Sequence, residues 1–337
     1  MDGMSRRAAL MGGAGAMMAA GLASALAQTG GQTGGQAGGE AGGAMVRGQP
    51  GAVKFSAGTE APRMPAPPMA TDCHHHVYDS RFPADPRTQL RPADASPDDY
   101  RALARRLGTQ RSVLVTPSTY GTDNRLHLQA MRELGPERAR MVAVVDTSVA
   151  EADLRAMHEA GVRGIRFNLV QAGVTTLDML EPLSVRVAPM GWHVQVHMLA
   201  DQIAENEAVF ARLPSPVVFD HLGRVPMEKG VEHPGYIAVR RLMDRGRAWV
   251  KLSGAYMDTK VGAAGRWSDT VPVARGYATG APERCVWASD WPHVTEPAEK
   301  PDDAALFDLL TEWVPDEAAR KRVLVDNPAA LYGFGRG

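Results

Sequence analysis

The stretch that decides the fold is Ala70-Thr71-Asp72-Cys73-His74-His75-His76. A short run that begins apolar and ends in three histidines reads as a β-strand whose last residues carry chemistry. Side chains alternate along a strand, so His74 and His76 are expected on one face and His75 on the other. By the same rule Cys73 is expected to face away from His74, toward whatever layer covers the sheet. Two imidazoles from one face of one strand can hold a metal ion from the same side.

Working outward, seven further strand candidates follow: Ser112–Thr116, Met141–Val145, Gly164–Asn168, His193–Met198, Val217–His221, Trp249–Ser253 and Val286–Asp290. Helical periodicity fills the intervals, as in Pro97–Leu107, Asn124–Leu134, Ala150–Ala160, Asp201–Leu213 and Tyr236–Asp244. Ser96-Pro97-Asp98-Asp99 supplies an N-cap, a proline at the first helical position and first-turn acids. Strands alternating with helices eight times predict an α/β fold, a (β/α)8 TIM barrel. A doubly wound open sheet is the other arrangement of such units. It normally carries a glycine-rich phosphate turn after an early strand, and this sequence has none.

A barrel of this kind places its chemistry at the C-terminal ends of the strands. Polar residues gather there: His74 and His76 on the first strand, Arg166 and Asn168 on the fourth, His197 on the fifth, Asp220 and His221 on the sixth. Lys251 to Tyr256 close the seventh, and Ser289-Asp290-Trp291-Pro292-His293 close the eighth. His74, His76, His197 and Asp290 make a three-histidine, one-carboxylate set suited to one divalent ion, Zn²⁺ above others, with positions left for water and substrate. His193 sits early in its strand and reads as structural. Cys73 and Cys285 lie too far apart along neighbouring strands for a disulfide and read as buried thiols.

Residues 1–27 read as a twin-arginine signal peptide: Ser5-Arg6-Arg7, a glycine-diluted apolar run to Leu26, then Ala25-Leu26-Ala27 as a cleavage site. Periplasmic or otherwise exported location through the twin-arginine machinery is the expectation, without stable membrane insertion after cleavage. Residues 28–68 are rich in Gly, Gln and Pro and are expected to be a disordered linker, leaving residues 69–337 as the barrel domain. Charge is balanced at −1, which gives no electrostatic footprint for nucleic acid or a membrane surface.

Several motifs together resemble a known family. The order runs His-x-His, the strand-five histidine, Asp220-His221-Leu222-Gly223, Lys251-Leu252-Ser253-Gly254-Ala255-Tyr256, Ser289-Asp290-Trp291-Pro292-His293 and Asp326-Asn327-Pro328. It is similar to the amidohydrolase-related proteins, in the branch of 2-pyrone-4,6-dicarboxylate lactonases, sulfomuconolactonases, sugar lactonases and galactarolactone isomerases. The resemblance implies the barrel and a small-molecule lactone or carboxylate substrate. His74 and His76 match the branch's strand-one pair, His221 its strand-six histidine and Asp290 its strand-eight aspartate. Members lacking the strand-five histidine work without metal, so His197 favours metal here, although a metal-free mechanism stays open. Two-metal members carry a lysine at the end of strand four. Arg166 and Asn168 stand there instead, which implies a single ion.

On this reading Asp290 is the general base and His221 orients water or polarises the lactone carbonyl. Arg166 and Arg224 are candidates for a substrate carboxylate, because a guanidinium fork matches it bidentately. Asn168, Tyr256 and His293 are candidates for the remaining oxygens. The expected activity is a lactone hydrolase. Rival readings are a lactone isomerase, a metal-dependent decarboxylase and a non-catalytic periplasmic binding protein. The substrate itself is expected to be set by loops 171–176, 225–234 and 257–267, which the sequence does not shape.

Overall fold

In the computed structural model, residues 51–170 and 173–335 are described. The expected signal peptide, and the linker as far as Pro50, fall outside them. Eight parallel strands follow one another around a single sheet in chain order. They are β1 (Thr71–His75), β2 (Arg111–Val115), β3 (Ala139–Ala143), β4 (Val162–Asn168), β5 (His193–His197), β6 (Val217–Phe219), β7 (Ala248–Leu252) and β8 (Cys285–Trp287). The sheet closes just beyond β8, where Asp290 N donates to His74 O at 2.8 Å and His76 N to Trp291 O at 2.9 Å. That closure sets the aspartate directly beside the histidine strand.

Helices lie between the strands where the periodicity called for them. Helix α1 (Pro97–Leu107) begins with a reciprocal cap: Ser96 Oγ accepts from Asp99 N, and the Asp99 carboxylate accepts from Ser96 N. It stops at Gly108, whose φ of 80° is left-handed and free of strain only for glycine. Helices α2 (Arg125–Leu134), α3 (Glu151–Ala160) and α4 (Leu180–Val187) follow. The expected single helix from Asp201 to Leu213 is two, α5 (Ala200–Glu205) and α6 (Glu207–Arg212). The break falls at Asn206, whose side chain bonds back to Gln202 O and draws the backbone out of helical geometry. Helices α7 (Pro234–Asp244), α8 (Val271–Gly280) and α9 (Asp303–Asp308) complete the part that bears on the site.

One expectation about β1 fails. Between Asp72, paired with Ser112, and His75, paired with Leu114, the strand carries one more residue than its neighbour. This bulge breaks the alternation. Cys73 and His74 therefore both face the lumen, while Asp72 and His75 face outward. Cys73 packs with Val113, Val142, Val218 and Val286 above Tyr332 and Phe334, which plug the base of the barrel. His75 stacks flat on Tyr100 of α1, with ring centres 3.5 Å apart.

The linker boundary also moves. From residue 51 the chain is not a free linker but packs along the barrel. Trp291 Nε1 donates to Lys54 O at 2.8 Å, Phe55 meets the Trp291 ring, and Ala57 N donates to Pro301 O. Val53, Phe55 and Met64 supply apolar contacts that the composition of the segment concealed. Trp291 is fully buried beneath this strap. Among the described residues no helix is long and apolar enough to cross a membrane.

Candidate active site

The bulge in β1 aims two imidazole Nε2 atoms at one point. His74 Nε2 and His76 Nε2 are 3.2 Å apart. Asp290 Oδ1 lies 3.5 Å from the first and 3.6 Å from the second, and His221 Nε2 reaches the same oxygen at 3.7 Å. Each ring is held from behind. His76 Nδ1 donates to Val115 O at 2.6 Å, and His221 Nδ1 meets Ser253 Oγ at 3.0 Å. Gly254 makes room for that arrangement, since a Cβ there would come within 2.8 Å of His221 Cβ. Asp290 and His221 themselves adopt left-handed backbone, with φ of 64° and 52°. Non-glycine residues accept such geometry at about 1–3 kcal/mol each, and it collects at functional sites.

The electrostatics suit lone-pair chemistry. Burial, above all, pulls the imidazoles of His74 and His197 well below the ordinary histidine range, and that of His221 below it. For Asp290 burial pushes upward, yet His221, His76 and His74 together outweigh it and hold the carboxyl well below its usual value. His74, His197 and His221 thus favour the neutral imidazole beside an ionised Asp290 carboxylate. Behind it, Asp72 accepts from His74 N, Ser289 N, Ser289 Oγ and Tyr100 OH, tying β1, the end of β8 and α1 together. Burial raises that carboxyl to about 6 despite those bonds.

A metal fits this donor set. Ligand atoms about 2.0–2.1 Å from a tetrahedral ion stand roughly 3.3 Å apart, close to the four separations above. His74, His221 and Asp290 form a group able to hold an ion, and His76 Nε2 adjoins it. His197 does not join it as expected. Arg224 Nη1 donates to His197 Nε2 at 2.8 Å and occupies that lone pair, although the ring stays edge-on to His221 at 5.0 Å.

Other expected residues divide. Arg166 is buried with Nε 3.6 Å from Asp220 Oδ2, and its two terminal nitrogens make no hydrogen bond among the described residues. Asn168 Nδ2 touches Ser118 Oγ at 3.4 Å, leaving Oδ1 without a partner among the described residues. Arg224 is spent, because Nε and Nη2 clasp the Asp258 carboxylate at 2.7 and 3.1 Å while Nη1 holds His197. Tyr256 donates to Asp290 Oδ2 at 2.7 Å. His293 is fully buried, with one nitrogen on Tyr256 OH and the other on Asp303, so it has no nitrogen left for substrate.

Sequence reasoning passed over the floor of the site. Lys251 is completely buried in the lumen, where Nζ meets Gln195 Oε1 at 2.8 Å, His74 Nδ1 at 3.2 Å and Asp220 Oδ1 at 3.3 Å. Gln195 Oε1 and Asp220 Oδ1 accept from the ammonium, while His74 Nδ1, whose ring turns its Nε2 lone pair to the site, donates to Asp220 Oδ1 at 3.4 Å. Burial draws Lys251 downward and Asp220 opposes this; for Asp220 burial pushes upward, but Lys251 and His74 more than reverse it. Tyr78 was missed as well. Its buried hydroxyl has no partner among the described residues, and it lies within electrostatic reach of Arg166 and Asp290.

An amidohydrolase family model matches residues 71–334, which is the whole barrel. The chain belongs to the amidohydrolase family. Among its relatives, a 2-pyrone-4,6-dicarboxylate hydrolase of Comamonas testosteroni is 35% identical over 84% of this chain and 96% of its own length. A D-galactarolactone isomerase of Agrobacterium fabrum is 34% identical over 83% of this chain and 96% of its own. Among solved structures, an apo protein of Agrobacterium tumefaciens superposes with a TM-score of 0.77 at 33% identity, over 84% of this chain and all of the other. This amidohydrolase is accordingly an enzyme, and the family assignment makes it a hydrolase.

Proposed function

We propose that this amidohydrolase opens a carboxylate-bearing lactone with water, and that the observation carrying this is the convergence of His74, His76, His221 and Asp290, with Arg166, whose terminal nitrogens make no hydrogen bond among the described residues, on the same barrel rim. Arg166 receives the substrate carboxylate through its terminal nitrogens, and Asn168 and Tyr78 offer hydrogen bonds beside it. The acyl carbon then lies against the Asp290 side of the site. Asp290 Oδ1 takes a proton from the attacking water as the water oxygen bonds to that carbon. His221, held by Ser253, stabilises the oxygen on which negative charge gathers. The ring C–O bond breaks, and the proton on Asp290 passes to the departing alkoxide, giving a hydroxy acid.

His74, His76 and Asp290 would hold one divalent ion, leaving His221 for the developing oxyanion, with Zn²⁺ the best match to a nitrogen-rich set. When bound it supplies Lewis acidity to the water and the carbonyl. Both curated relatives act on compounds named as lactones or as a pyrone dicarboxylate, which supports the substrate class. Export through the twin-arginine route is proposed on Arg6-Arg7 and the Ala25-Leu26-Ala27 site.

The test is Asp290→Asn assayed on 2-pyrone-4,6-dicarboxylate and D-galactarolactone. Loss of the base should lower kcat by roughly 10²–10⁴-fold with the fold intact by circular dichroism. Turnover within a few-fold of wild type on a substrate the wild type opens would remove Asp290 from the mechanism.

A further inference from the structure

Behind Asp290 runs a chain of buried groups that the proposed chemistry does not use. Tyr256 OH is 2.7 Å from Asp290 Oδ2, His293 Nδ1 is 3.1 Å from the same hydroxyl, and His293 Nε2 lies 3.0 Å from both oxygens of Asp303. His293 and Asp303 are completely shielded from solvent. Asp303 begins α9 and is itself braced, its N–H donating to Ser56 Oγ at 3.1 Å in the N-terminal strap.

Tyr256 has one proton to give, and Asp290, the nearer of its two neighbours, takes it at 2.7 Å. His293 bridges the Tyr256 oxygen and both oxygens of Asp303, so the hydroxyl is placed from behind by an imidazole that a buried carboxyl group holds in turn.

We infer that Asp303 and His293 are positioning residues that turn the Tyr256 hydroxyl onto Asp290, clamping Oδ2 so that Oδ1 alone faces His74, His76 and His221. The inference rests on the reading of Asp290 as the base and adds to it what orients that base. It also gives the strap at residues 51–58 a purpose, since Ser56 holds the far end of the chain.

A double-mutant cycle on Tyr256→Phe and Asp303→Asn tests it. Each single variant should lose roughly 10–100-fold in kcat on 2-pyrone-4,6-dicarboxylate, or on D-galactarolactone if that is the substrate opened, with KM changed less than about threefold. The double variant should be no slower than Tyr256→Phe alone, because Asp303 acts through that hydroxyl. Additive losses, or single variants within a few-fold of wild type, would overturn the inference. Should Asp303→Asn not fold, His293→Gln enters the same cycle in its place. If Asp290→Asn is inactive while Asp303→Asn turns over like wild type, only the clamp falls. Full activity of Asp290→Asn brings down the underlying reading instead.

Discussion

Replacing Lys251 by methionine removes a charge from the floor of the site while keeping most of the side chain's volume. In the folded protein the ammonium has Asp220 Oδ1 at 3.3 Å and no exposure to solvent. Coulomb attraction at that distance, with an effective dielectric constant near 20, is about 5 kcal/mol. What the variant loses is set less by that attraction than by the Asp220 carboxylate left behind. It would keep Gln195 Nε2 at 3.0 Å, His74 Nδ1 at 3.4 Å and the more distant Arg166. Stranding one member of a buried pair costs about 3–5 kcal/mol. For a barrel of this size that should lower the midpoint of thermal unfolding by roughly 6–20 °C. The assay is thermal and urea unfolding of wild type, Lys251→Met, Asp220→Asn and the double variant. Since the double variant removes both members of the pair, it should recover at least half of the loss. A Lys251→Met protein within about 1 kcal/mol of wild type, or a double variant worse than the sum of the singles, would refute the buried pair.

Arg166→Ala should raise KM for a carboxylate-bearing lactone by roughly 10–150-fold while leaving kcat within a few-fold, in line with about 1.5–3 kcal/mol for a hydrogen bond to a charged group. A lactone without the carboxylate should show no such penalty in steady-state kinetics. Metal analysis of purified protein should find close to one divalent ion per chain, and exhaustive chelation should abolish turnover until Zn²⁺ is restored. Metal-free protein with full activity would leave Asp290 and the histidines to act alone. Changing Arg6 and Arg7 to lysine should keep the full-length chain inside the cell, read by fractionation. Unchanged export would dismiss the twin-arginine route.

Much of the fold was legible because strand and helix signals agreed with each other. Ser96-Pro97-Asp98-Asp99 marks the start of α1 by chemistry local to four residues, and the structure places the cap there. Strand ends were equally readable, and they led to His74, His76, His221 and Asp290. What escaped depends on register and on loops. Alternation along β1 cannot reveal a one-residue bulge, so Cys73 was assigned to the wrong face. His197 was read as a ligand because its strand position was right; its lone pair is taken by Arg224, which lies on a left-handed turn with φ of 51°. One signal was available and unused. Lys251 stands between Val250 and Leu252 in an apolar strand, and a lysine so enclosed demands a buried acid. Asp220, on the neighbouring strand, is that acid. Asp303 lay beyond reach, since no local pattern links it to a histidine ten residues earlier.

The central claim is that water opens a lactone at this site. Turnover of the accepted lactone in H₂¹⁸O, followed by mass spectrometry of the product, tests it most directly. The account predicts one ¹⁸O atom in the new carboxylate for every ring opened. A rearranged lactone of unchanged mass, carrying no label, would contradict it and make the enzyme an isomerase.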